Sequence, residues 1–290
     1  MIPMIRGDQI YVRTMSATGI TSGVGTARRD WQYHSRSDAH SKAACWGIVF
    51  DLLASCPLLR EHIKNGKVGF GINHEMRDFR MNRRKDLDLV ICTLNGTIDD
   101  GAESFSDLVA RYGIALDSSE IDILASLPVL RRGTVGSVLI ALEAKACMTA
   151  HIKACPRLYD ELSSSFQTVL GDTKNAVAAA FVTINAASEF VSPVLNKDTK
   201  KKAALKISSH QQPKDAKRVL EKIKELPRRS GEDGIGFDAL GALFVDCRND
   251  GSEVKIVDVL PDGTAVDTIL TYQAMINRIA SMYSSRFRAI

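Results

Sequence analysis

One segment limits the folds open to this chain more than any other. Residues 175–186, NAVAAAFVTINA, are apolar with few interruptions. A strand alternates its side chains between two faces, so such a run suits a strand buried on both of them. That predicts the interior of a sheet with helices on either side. The preceding residues agree. Positions 148–166 show apolar residues at helical spacing, and Pro156 predicts a kink or a restart within that helix. The helix reads as a crossover into a sheet begun upstream.

Three shorter runs supply the earlier strands, over 68–74, 86–93 and 138–146, with Gly69 and Gly71 weakening the first. A helix is expected before them over 38–53. Its Ala43, Ala44, Trp46, Val49, Phe50 and Leu53 are spaced for one buried side, and Ser37 or Asp38 can cap it. A short helix over 58–64 precedes an Asn65-Gly66 turn. Residues 95–132 form an insertion between the second and third strands, with helices expected over 104–112 and 118–126. Residues 9–13 read as a short strand and 14–26, with Gly19, Gly23 and Gly25, as a loop. That loop lacks the Lys-Ser/Thr pair of a phosphate-cradling turn.

Two of the strands carry charge where apolar residues belong. KDLDLVIC, residues 85–92, sets Asp88 between Leu87 and Leu89. SVLIALEAK, residues 137–145, places Glu143 and Lys145 two apart, hence on one face. A carboxylate inside an apolar strand is costly unless it is paired or binds a metal. On neighbouring strands Asp88, Glu143 and Lys145 would converge. Two carboxylates suit a hard divalent cation such as Mg²⁺, and a lysine beside it can orient or deprotonate water. The plain alternative is a Glu143–Lys145 ion pair on an exposed sheet face, worth about 0.2–1 kcal/mol.

This constellation, together with the order helix, three strands, helix, strand over residues 38–186, resembles the PD-(D/E)xK nuclease superfamily. Asp88 matches the aspartate of that motif and Glu143-Ala144-Lys145 its ExK. Leu87 stands where the motif has proline, which leaves Asp86 as a rival ligand. The resemblance implies a restriction-endonuclease-like αβββαβ core of α/β class, that is, an α+β mixed sheet. A helical insertion and a C-terminal α/β extension would be added to it. It implies a metal-dependent endonuclease acting on double-stranded DNA, first of all a type II-like restriction enzyme. An activated antiviral effector of low sequence specificity and a non-catalytic nucleic-acid-binding protein are the alternatives. Asp88, Glu143 and the main-chain carbonyl of Ala144 would hold Mg²⁺, with Mn²⁺ able to substitute, and Lys145 would act on the water. Asp38 and Glu75, besides Asp86, are candidates for a further acid. A homodimer or higher homo-oligomer would supply two sites for two strands.

Charge distribution bears on the partner. The chain has 38 Lys+Arg and 34 Asp+Glu, a net charge of +4. Residues 196–232 hold 12 Lys+Arg against 5 Asp+Glu, which is +7, so the remainder is 26 against 29, or −3. This concentration suits a polyanion or a solvated charged helix. Lys200, Lys201 and Lys202 open it. A second basic cluster, Arg77, Arg80, Arg83 and Arg84, falls in what reads as an irregular hairpin tip over 75–85. Residues 1–192 are therefore read as the core and 193–290 as a basic extension. The extension should hold a helix over 213–226, a hairpin over 240–259 turning at Asn249-Asp250-Gly251, and a long closing helix over 265–287. No run approaches the ~18–20 apolar residues of a membrane span, and no signal-peptide pattern opens the chain, so a cytoplasmic protein is expected. The six cysteines form no C-x-x-C and read as buried thiols. P-loop, dinucleotide and Ser-His-Asp signatures are missing, which argues against the common metabolic α/β enzymes.

Overall fold

The computed structural model describes residues 5–23, 25–96, 99, 101–200, 203–231 and 233–290. Its helices are α1 (Gly7–Ala17), α2 (Ala39–Ser55), α3 (Pro57–Lys64), α4 (Asp107–Tyr112), α5 (Ser118–Ser126), α6 (His151–Asp172), α7 (Lys214–Lys224) and α8 (Tyr272–Arg286). Its strands are β1 (Ile20–Ser22), β2 (Arg29–Trp31), β3 (Val68–Asp78), β4 (Arg83–Leu94), β5 (Val135–Cys147), β6 (Val177–Asn185), β7 (Glu189–Val191), β8 (Ile207–Ser209), β9 (Ala239–Asp246) and β10 (Lys255–Ile256). Six of them build one mixed sheet in the order β10-β9-β6-β5-β4-β3. β5, β6 and β9 run parallel, and the remaining neighbours are antiparallel.

The expected succession α2, β3, β4, β5, α6, β6 is present, in a mixed α/β protein whose sheet is flanked by helices. Every residue of β6 is buried. Val177, Ala179 and Phe181 join the layer of α1, α2 and α8, while Ala178, Ala180 and Val182 join that of α6 and α7. Residues after 192 complete the same sheet through β9 and β10, with α8 on one face and α7 on the other. The insertion packs over α2, where Phe105 stacks on Trp46 at 4.9 Å between ring centroids. Among the described residues no single helix is long and apolar enough to cross a membrane. All six cysteines are buried and free.

Four sequence expectations change. Residues 9–13 lie in α1, not in a strand, because Ile10, Tyr11, Thr14 and Met15 repeat at helical spacing and bury one face. That face crosses α2 closely. A Cβ on Gly7 would come within 2.4 Å of the Gly47 carbonyl oxygen, and the Asp51 carboxylate accepts the N–H groups of Arg6 (3.0 Å) and Gly7 (2.7 Å). The segment 75–85 is not irregular: β3 and β4 pair through Asp78↔Arg83, leaving a four-residue turn at 79–82. Pro156 lies in the second turn of α6 and forfeits one intrahelical bond without breaking it. The closing helix starts only at Tyr272, where the Thr271 hydroxyl caps the Ala274 N–H (3.2 Å) after a 3₁₀ turn at Thr268–Leu270.

Candidate active site

The site forms where β4 and β5 part. Their ladder runs from Leu94↔Val135 to Leu89↔Leu142. One residue further, the Asp88 carboxylate enters the gap and Oδ2 accepts the Ala144 N–H at 3.0 Å. Its Oδ1 accepts the Ser41 hydroxyl (2.8 Å) and the Lys42 ammonium (3.1 Å), both from α2. Lys42 is only 3% exposed and also donates to the Asp88 main-chain oxygen (3.0 Å) and to Asn73 Oδ1. Asn73 has φ 50° and is skipped in the β3–β4 register, between Ile72↔Leu89 and His74↔Leu87. The register is the same on both sides of the gap, so Asn73 and Asp88 lie opposite each other as an unpaired position in the ladder.

Glu143 and Lys145 lead the other way, toward α6. Glu143 Oε1 lies 2.9 Å from Lys145 Nζ and 3.4 Å from Lys85 Nζ. Lys145 is also 3.5 Å from Glu161 Oε2. Lys85 donates to the Glu161 main-chain oxygen at 2.9 Å, and Arg157 to its carboxylate at 2.6 Å. Asp88 therefore does not share the face of Glu143 and Lys145, as simple alternation required. The unpaired position opposite Asn73 and the end of the β4–β5 ladder place it in the gap between the two layers.

The electrostatics follow from that placing. Burial raises the Glu143 carboxyl, the Asp88 charge adds to this, and Lys145 and Lys85 only partly offset it. Burial would lower Lys145, but Glu143 outweighs it and the net direction is up. For Glu161 burial is overcome by Arg157, Lys145 and Lys85, and its carboxyl is lowered. Glu143 Oε2 is buried with no hydrogen-bond partner among the described residues. Across the gap His40, packed at 5.0 Å on the Tyr33 ring, is lowered by burial to about 4 and stays neutral at pH 7.

A cavity of about 880 Å³ opens here. Asp88, Ala144 and Lys145 line its floor, Asp38, His40 and Ser41 one wall, and Arg157, Asp160 and Glu161 the other. Arg84 and Lys85 border it from β4. Of the other expected residues, Asp38 reaches this cavity at the start of α2. Glu75 and Asp86 face each other across β3 and β4, exposed and away from its lining, and Glu75 lies 3.7 Å from Arg84. Among the described residues, no three His, Cys, Asp or Glu side chains gather to hold a metal. None of the three further acids therefore joins Asp88 and Glu143. Arg83 turns to Gln167 of α6, and Arg77 and Arg80 stand at the turn. Lys200 is exposed and gives its carbonyl to Arg29 (2.6 Å). Lys201 and Lys202 lie outside the described residues.

Ser41, Lys42 and Glu161 are site residues that sequence reasoning missed, and Lys85, expected in the basic tip, lies instead against Glu143. Lys42 left a trace: a lysine beside the apolar run of α2 needs a carboxylate partner inside the protein.

The oxygen donors that border the gap are of the kind a hard divalent cation takes. Glu143 Oε2 is an unused anionic oxygen. N–H and C=O of a strand residue point to the same edge, so the Ala144 carbonyl faces the gap with its N–H. Asp88 Oδ2 accepts one hydrogen bond and can accept one more, while Oδ1 already takes two. The hydrogen-bonded network itself sets Lys42, Lys85, Lys145 and Arg157 against Asp88, Glu143 and Glu161, one net positive charge that favours an anion. No family model matches the chain, and no curated protein or solved structure matches it at a significant level.

Proposed function

We propose that the protein is a metal-dependent endonuclease that hydrolyses phosphodiester bonds in double-stranded DNA, acting as a type II-like restriction enzyme. The observation that carries this is the partnerless Glu143 oxygen, buried beside Lys145 at the strand gap that Asp88 enters. Glu143, Asp88 and the Ala144 carbonyl would hold Mg²⁺ or Mn²⁺. When bound, the ion supplies polarisation of the scissile phosphate and a more acidic water. The chain's own groups do the rest. Lys145, kept cationic by Glu143, orients the attacking water and stabilises charge growing on the phosphorus oxygens. Ser41 and Lys42 fix the Asp88 carboxylate before substrate arrives. Arg84 and Arg157, on the cavity rim, hold neighbouring phosphates. Two copies related by a two-fold axis would cut the two strands.

Plasmid incubated with the purified protein and Mg²⁺ tests this. Discrete fragments are expected. A smear would indicate cleavage of low sequence specificity instead, and intact plasmid under all metal conditions would overturn the reading. One observation favours a second reading, a non-catalytic DNA-binding protein on the same fold. Lys42 already neutralises Asp88 where a cation would otherwise be needed. Tight duplex binding with no cleavage and no response to Mg²⁺ would select it.

A further inference from the structure

The turn joining β3 to β4 carries two large apolar side chains into solvent. Phe79 is 70% exposed and Met81 63%. The turn cannot fold them inward. The buried Asp78 carboxylate accepts the N–H groups of Arg80 (3.0 Å) and Met81 (3.2 Å). Asn82 takes the left-handed conformation, with φ 50°. Arg77 donates to Asn82 Oδ1 at 2.8 Å, and its guanidinium lies 5.3 Å from the Phe79 ring centroid. The tip is thus built to stand outward.

Its surroundings define what would cover it. Arg77, Arg80 and Arg84 lie within three residues of the pair in the chain, Arg84 opposite Arg77 and 3.7 Å from Glu75. Asp78, the one acid in residues 77–84, is consumed within the turn. Apolar side chains beside guanidinium groups complement a surface that is anionic outside and apolar within. Stacked bases between two phosphate rails have that profile. Met81 also borders a groove lined by Phe166, Leu170 and the exposed Ile235, and the arginines beside it favour a polyanion over a lipid surface or a second copy of the chain.

We propose that Phe79 and Met81 form a wedge that enters between base pairs of duplex DNA, with the flanking arginines on the adjacent phosphates. This rests on the DNA-cleaving reading and adds a distance to it. Met81 is seven positions from Asp88 along β4 and its turn. At about 3.3 Å per residue that is up to ~23 Å, or roughly seven base pairs at about 3.4 Å each. The wedge therefore opens the stack up to about seven base pairs from the phosphate that is cut.

The test uses the 290-residue chain in EDTA, which withholds the metal that cleavage needs, with duplexes carrying 2-aminopurine at successive positions. Binding by the parent should raise the fluorescence at one step, which reports unstacking. Phe79→Ser with Met81→Ser should remove that rise and weaken binding about tenfold, leaving the salt dependence unchanged because the arginines stay on their phosphates. Arg80→Gln with Arg84→Gln should keep the rise and flatten the salt dependence by about 0.9 log units for each phosphate no longer neutralised. The proposal is overturned if the double serine variant keeps parental affinity and fluorescence, or if the parent unstacks no step. It is also overturned if the serine changes dissolve an oligomer, or if the parent binds anionic vesicles and not DNA. Unstacking without any plasmid cleavage in Mg²⁺ would remove the nuclease reading and leave the wedge. Cleavage with no unstacked step would remove only the wedge.

Discussion

Replacing Glu143 by glutamine separates a metal site from a structural ion pair. The amide keeps the shape and removes the charge. Glu143 is 2% exposed and one of its oxygens has no partner, so the removal of a desolvated charge works in favour of the variant. The lysines it leaves are not stranded, since Lys145 keeps Glu161 and Lys85 keeps the Glu161 carbonyl. The two effects oppose, and stability should change by no more than about 1 kcal/mol, or ~2–4 °C in Tm. Cleavage should fall roughly 100- to 1000-fold, the scale of one missing transition-state interaction of about 2.7–4 kcal/mol. Mg²⁺ at about ten times its Kd should stabilise the parent by roughly RT ln 11, about 1.4 kcal/mol, and raise Tm by ~3–6 °C. That rise should vanish in the variant. Thermal melts with and without Mg²⁺, beside single-turnover cleavage, make the measurement. A variant that cuts at the parental rate, or keeps the Mg²⁺-induced rise, refutes the assignment of Glu143 as a ligand.

Three further outcomes are expected. Lys42→Met should cost roughly 3 kcal/mol in urea unfolding, because the largely buried Asp88 loses its only ammonium partner among the described residues; a change under about 1 kcal/mol would show that Ser41 and the Ala144 N–H suffice. Asp238→Ala should cost about 3–5 kcal/mol, since Asp238 is fully buried between Arg229 (2.7 Å) and Arg286 and also accepts the Ala178 N–H; near-parental stability would contradict this. Asp51 is raised to about 6, chiefly by burial, against the opposing N–H groups of Arg6 and Gly7 and the Tyr272 hydroxyl. Its folded form then holds the proton more tightly than the unfolded chain, so the Asp51 contribution to stability declines as pH rises from about 4 to 6. The decline is about 3 kcal/mol and is absent in Asp51→Asn. Denaturant titrations across that window that show parallel curves for parent and variant would rule it out.

Much of the fold was legible because its signals are local. The nearly unbroken apolar run of β6 required cover on both faces, and α2 announced itself by its period and a candidate cap. The five-residue window at 9–13 was too short to separate a period of 2 from one of 3.6. In α1 the answer came from Gly7 meeting Gly47, an approach between distant segments. The site divides in the same way. Glu143 and Lys145 could be paired from their spacing. The direction of Asp88 could not, because it depends on where the β4–β5 ladder stops and on an unpaired, left-handed Asn73 in a third strand. The basic stretch 196–232 looked like a free cationic surface. Arg229 is spent on Asp238, and Lys217 and Lys224 on Asp262 and Asp267, acids that pair with them only once the chain has folded back.

The position of β9 beside β6 has a consequence for how the chain is made. During synthesis β6 emerges before β9, with every side chain destined for burial and one hydrogen-bonding edge still open. Such a strand is a template for pairing with other chains. Some fifty residues must be translated before β9 can close it, and that pairing is long-range and slow to form. A chain stopped near residue 192 would keep the edge open permanently. The last hundred residues therefore act first as a cover for the nascent sheet, whatever they later touch.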